Sequence, residues 1–204
     1  MAEIERIETK TLPIMAYGQS ILRKTCRNVQ EVSDELNELV LALWQTMATS
    51  GGVGLAAPQV NSEMKVFIVN SKLMYDDMTD SQRKIAFPDD NGIKETFINA
   101  KIIGASEDKW SEQEGCLSIP GIMKPIDRPR EIVIEYLNVN FQPRRVQFTG
   151  YTAKIIQHEY DHTNGVLFID HLPPLSKKLL NSKLRQIRNG KVKVNYPIQF
   201  LKHL

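Results

Sequence analysis

The sequence predicts an α+β fold in which antiparallel or mixed β-sheets pack around a central helix, with one further helix on its N-terminal side and one on its C-terminal side. Three observations carry this. Apolar residues recur at helical spacing in three segments, 33 to 50, 152 to 163 and 175 to 188. Four short β-branched or aromatic runs bounded by turn formers lie between the first and second of these. The 204 residues, 42% of them hydrophobic, suffice for one domain with its own core, expected to span 1 to 204.

In chain order, the first helix is expected over 33 to 50. Ser33 can accept a hydrogen bond from its first turn, Asp34 and Glu35 suit the positive end of its dipole, and Leu36, Leu39, Val40, Leu43 and Met47 share a face. Gly51-Gly52 stops it. Strands are expected at 65 to 70, 96 to 103, 131 to 139 and 144 to 148. Between the first two, residues 71 to 94 hold Asp76, Asp77, Asp80, Asp89 and Asp90 with weak periodicity, which predicts an acidic inserted surface loop. The helix at 152 to 163 is apolar through Ala153, Ile155, Ile156 and Tyr160, so it is expected to be central and buried, with Gly165 past its end. The last helix is amphipathic through Leu179, Leu180, Leu184 and Ile187, and Asn189-Gly190 turns the chain into an expected strand at 191 to 196.

Charged residues at 25% argue against a disordered chain, and no apolar stretch approaches the roughly 20 residues of a bilayer span. Glu3, Glu5 and Glu8 precede any apolar run, unlike a secretory or organellar leader, which predicts a cytoplasmic protein. Its two cysteines, Cys26 and Cys116, are then expected to be reduced and to act singly. The net charge of +2 conceals a division, because residues 171 to 204 carry eight Lys or Arg and no Asp or Glu, leaving a tail of +8 and a body of −6. Such a tail suits an acidic partner such as ribosomal RNA, or else is a solvated helix face.

The chemistry is concentrated in residues 158 to 162, an H-E-x-x-H sequence on the buried helix. Histidines four apart lie one turn above each other, so His158 and His162 can share one cation while Glu159 reaches a water held there. The helix is thus expected to bind metal. A catalytic site wants a third protein ligand and one open position. The extended zinc-protease pattern would put a histidine at 168, where this chain has Phe168, and neither His171 nor His203 falls at a spacing that completes such a pattern. The better candidate is Cys116, flanked by Gly115, although a lone cysteine also serves as a small buried hydrophobe. A third feature, residues 52 to 59, is built of small residues that let backbone lie against a ligand and ends in Gln59, which can aim an amide N–H at a developing oxyanion; it is equally a tight helix-to-strand connection.

Together these segments resemble the peptide deformylases, whose hallmarks are Gly-x-Gly-x-Ala-Ala-x-Gln, Glu-Gly-Cys-x-Ser and Gln-His-Glu-x-Asp-His, here at 52 to 59, 114 to 118 and 157 to 162, with the resemblance covering roughly 12 to 175. It implies a divalent metal, Fe(II) in the cell and exchangeable for Ni, Co or Zn, on Cys116, His158 and His162. The substrate it implies is an N-formylmethionyl nascent peptide, from which formate is released in the bacterial cytoplasm. Glu159 is then the proton carrier, and Gln59 and the Leu117 N–H are the oxyanion donors. Gly52, Val53, Gly54, Ile119 and Gly121 would pair with an extended peptide, Arg128 would lie near its backbone, and Lys154 would contribute only its stem to a pocket with Tyr151 and Ile155. Two rivals remain at this stage: a metallopeptidase that cleaves internal peptide bonds with a third ligand other than Cys116, and a non-enzymatic ribosome-associated binding module.

Overall fold

The computed structural model describes residues 11–201; Glu3, Glu5, Glu8 and His203 lie outside them. The chain begins with a short strand, β1 (Ile14–Met15), and reaches α1 (Asp34–Ser50). Ser33 caps α1 as expected, its hydroxyl accepting the Leu36 N–H at 3.2 Å, and Gly51 ends it in the left-handed conformation. Strands β2 (Gly54–Ala56), β3 (Val66–Asn70) and β4 (Lys94–Ala105) follow, with two short helices, α2 (Lys72–Asp77) and α3 (Asp80–Ala86), between the last two. Next come β5 (Lys109–Cys116), β6 (Ile119–Pro129), β7 (Glu131–Leu137) and β8 (Pro143–Thr149). The helices α4 (Gly150–Thr163) and α5 (Pro174–Arg188) and a last strand, β9 (Ile198–Gln199), complete the fold.

Five strands form an antiparallel sheet in the order β2-β3-β4-β7-β8. Both its faces are covered, and this explains why β3 reads as a continuous apolar run rather than an alternating one. Val66 and Ile68 pack with Leu36, Leu43 and Met47 of α1, whereas Phe67 and Val69 pack with Ala153 and Ile156 of α4. Phe67 and Phe97 stack at 4.7 Å between ring centroids beneath α4. The β5–β6 hairpin stands apart from this sheet; its Ile119, Ile122 and Ile126 build a second core with Phe168, Ile169, Leu180, Leu184 and Ile187. The central helix is therefore enclosed by sheet on one side and hairpin on the other.

Three features differ from expectation. The hairpin was not anticipated, because its inward positions carry Glu114 and Arg128 as well as isoleucines and so lack a hydrophobic alternation. Residues 71 to 94, expected as a loop, contain α2 and α3, which are too short for their periodicity to be read, and the segment is tied to α4 by Ser71 with Thr152 (2.9 Å) and to the end of β8 by Thr149 donating to Asp89 (2.9 Å). The terminal strand is Ile198–Gln199, paired parallel with β1, and not the expected 191 to 196. Parallel pairing with β1 provides the ladder partner that the earlier residues lack.

Candidate active site

Helix α4 presents His158, Glu159 and His162 to the space between sheet and hairpin, all three buried. The two imidazoles lie one turn apart with ring centroids at 5.0 Å. Cys116 ends β5, and its Sγ comes within 3.3 Å of His162 Nε2. One ligand atom from each of Cys116, His158 and His162 falls within 4.8 Å of the others. A thiolate and an imidazole on one tetrahedral ion are separated by about 3.5 Å, so this donor set fits a single divalent cation. Burial opposes ionisation of the Cys116 thiol, but His162 and His158 outweigh it and bring the thiol down to about 5, favouring the thiolate that a metal needs.

His158 Nδ1 lies 3.0 Å from Glu114 Oε2, which leaves Nε2 as the nitrogen available to a cation. The carboxylate that orients it is itself enclosed by cations. Arg128 donates from Nε (2.7 Å) and Nη2 (3.0 Å) to Glu114, and from Nη1 (2.7 Å) to Asp161, while Lys154 Nζ lies 3.0 Å from Glu114 and donates to the Ile126 carbonyl at 2.8 Å. Burial works against the Glu114 charge, yet His158 and Arg128 hold its carboxyl well below the usual range. Two carboxylates and two cations thus balance in a buried cluster. His162 differs, since its Nδ1 is buried with no hydrogen-bond partner among the described residues.

Glu159 sits against the backbone of Gly54, where a Cβ would come within 2.5 Å of Oε1, so only glycine fits there. Its Oε2 is buried and unpartnered among the described residues. Burial pushes the carboxyl up to about 7, with His158 and His162 offsetting part of the rise, which suits a group that must both accept and release a proton near neutrality. Gln59 is oriented by its own backbone: Oε1 accepts the Ala56 N–H at 2.9 Å, so Nε2 points to Ser118 Oγ (3.3 Å) and Cys116 Sγ (3.5 Å). Leu117 lies in the two-residue turn immediately after Cys116.

These groups open into a groove of about 630 Å³. Gly52, Val53, Gly54, Ile119 and Gly121 all line it, as do Tyr151, Lys154 and Ile155. Arg128 is the exception. It is 3% exposed and fully engaged by Glu114 and Asp161, so it lies behind His158 rather than beside a substrate backbone. Lys154, expected to offer only its stem, places its Nζ in the same cluster. Sequence reasoning gave no role to Glu114 or Asp161; the one available signal was that buried carboxylates and cations in a metal helix's surroundings require one another.

A family model for polypeptide deformylases matches residues 11–178. Among relatives, a peptide deformylase of Christiangramia forsetii is 38% identical over 93% of this chain and 95% of its own. One of Flavobacterium psychrophilum is 38% identical over 93% and 97%. Among solved structures, a peptide deformylase from Ehrlichia chaffeensis superposes with a TM-score of 0.77 at 28% identity, covering 89% of this chain and 99% of that one. A class I type b peptide deformylase from Acinetobacter baumannii, solved with Met-Ala-Ser bound, does so with a TM-score of 0.69 at 29% identity, covering 80% and 99%.

Proposed function

Because the chain belongs to the polypeptide deformylase family, metalloenzymes that hydrolyse the N-formyl group from nascent peptides, we propose that Cys116, His158 and His162 hold its metal ion and that Glu159 carries the proton. The single observation behind this is the approach of the Cys116 sulfur to the α4 imidazoles, 46 residues away in sequence. When bound, the ion supplies a Lewis acid that polarises the formyl carbonyl and acidifies water. Glu159 takes a proton from the attacking water as the new C–O bond forms at the formyl carbon. Gln59 Nε2 and the Leu117 N–H donate to the oxygen on which negative charge develops, each such donor being worth roughly 3 to 4 kcal/mol. Glu159 then gives its proton to the departing amine as the C–N bond breaks, and formate and a free N-terminus result.

The finer assignments follow the same chemistry. A thiolate with two imidazoles suits Fe(II), with Ni, Co or Zn able to replace it. The Met-Ala-Ser bound to the Acinetobacter enzyme supports an extended peptide lying between Gly52, Val53 and Gly54 on one side and Ile119 and Gly121 on the other. Free cysteines, Cys26 buried and Cys116 in the site, support a reducing cytoplasm, and no helix among the described residues is long and apolar enough to cross a membrane. Contact with ribosomal RNA would use exposed Lys178, Lys183 and Arg185 on α5, since Lys177 is paired with Asp170. Internal peptide cleavage is not favoured, as its distinguishing third ligand is replaced by Cys116. The test is anaerobic purification followed by formate release from formyl-Met-Ala-Ser: the Glu159→Gln protein should keep its metal and lose activity about 10²- to 10⁴-fold, and retained turnover would remove Glu159 from the role.

A further inference from the structure

Resting on the reading of Leu117 as an oxyanion donor, we propose that Tyr196 is a positioning residue for deformylation, its hydroxyl holding the Leu117–Ser118 turn in the conformation that aims the Leu117 N–H. The turn needs such help. Two residues, Leu117 and Ser118, join the paired Cys116 and Ile119, and the ladder shifts by three residues between Gly115, which faces Met123, and Cys116, which faces Ile119. Hairpin turns this short fit the strand twist when they use left-handed residues, glycine above all. Neither Leu117 nor Ser118 has a positive φ. The turn is instead fixed from outside at three points. Tyr196 Oη donates to the Leu117 carbonyl at 2.8 Å, the Tyr17 N–H to the Ser118 carbonyl at 2.8 Å, and Gln59 Nε2 to Ser118 Oγ at 3.3 Å.

The first two anchors come from opposite ends of the chain but from one unit. Strands β1 and β9 pair in parallel, Ile14 with Ile198 and Met15 with Gln199. Ile14 N–H also reaches the Pro197 carbonyl (2.9 Å), and Gln19 Nε2 donates to the Phe200 carbonyl (3.1 Å). This ties down the strap that follows α5, so that Lys193 to Tyr196 line the groove beside the site. Burial, reinforced by nearby Cys116, pushes the Tyr196 hydroxyl up to about 12, so it remains a donor throughout the working range.

The experiment uses the full-length, metal-loaded protein with formyl-Met-Ala-Ser. Tyr196→Phe removes one hydroxyl and should lower kcat about tenfold, a fraction of the 10²- to 10³-fold cost of losing a whole oxyanion donor. KM and bound metal should stay at wild-type values, because the donor engages only as charge develops, and Tm should fall only slightly, as for the loss of one hydrogen bond. Gln19→Ala, which loosens the strap without touching the site, should lower kcat by about two- to threefold, a smaller part of the same loss. An unchanged kcat in Tyr196→Phe, a change in KM alone, or a kcat loss accounted for by lost metal or by unfolding at the assay temperature would each overturn the proposal. Glu159→Gln in the same assay separates the two levels. If it abolishes turnover while Tyr196→Phe matches wild type, only the Tyr196 role fails; if it does not, the site reading fails and the Tyr196 role with it.

Discussion

On one side α4 meets the five-stranded sheet through Ala153 and Ile156 against Phe67, Phe97 and Ile132; on the other it meets the hairpin through Lys154, His158 and Asp161 against Glu114 and Arg128. Both contacts are buried, but they constrain different things. Apolar packing is non-directional and sets where the helix lies. A carboxylate held by a bidentate guanidinium and an ammonium has one arrangement, and it transmits that arrangement to the imidazole of His158. The same helix is therefore positioned by one neighbour and aimed by the other.

The strongest way to break this division is Glu114→Ala. It leaves Arg128 and Lys154 buried without their shared counter-charge and should cost about 3–5 kcal/mol of stability, while freeing His158 should weaken metal binding about 10- to 100-fold. Denaturant unfolding and metal titration check the two parts separately. Phe97→Ala on the sheet side should cost a similar 3–5 kcal/mol yet leave kcat/KM per metal-loaded molecule within about twofold of wild type, so a large activity loss there would erase the distinction. Ile156→Val should cost only about 0.5–1.5 kcal/mol with no change in turnover.

The smallest effect concerns a carboxylate outside this cluster. Burial opposes the charge of Asp170, but Arg23, Lys177 and the Leu167 N–H hold its carboxyl at about 2, below the ordinary 3.8. A depressed folded-state value stabilises above the unfolded one, so this contribution is present above pH 4 and fades as pH falls towards 2. Asp170→Asn should flatten the pH dependence of Tm in that window and leave the metal site untouched.

How much of this was readable in advance depends on distance along the chain. His158, Glu159 and His162 share one helical turn, and the Ser33 cap and the β3 run are local patterns, so spacing alone exposed them. Glu114 lies 44 residues from the ring it orients, and Tyr196 lies 79 from the carbonyl it holds. Nothing local marks such pairs. The hairpin escaped for a related reason: two of its buried strand positions, Glu114 and Arg128, carry charges that are satisfied only across the fold, so the hydrophobic alternation that signals a strand is broken. Arg128 was expected near the peptide backbone only from the family resemblance, and hairpin register decides which side of His158 it occupies, with Arg128 facing Glu114 and Asp161 instead of the groove.

The central claim is that one sulfur and two imidazole nitrogens converge on a single ion. X-ray absorption at the metal edge of anaerobically purified protein measures this directly. The account predicts one sulfur neighbour at about 2.3 Å and two nitrogens at about 2.0–2.1 Å, with the sulfur shell abolished in Cys116→Ser. A coordination shell of nitrogen and oxygen alone in the wild-type protein would contradict it.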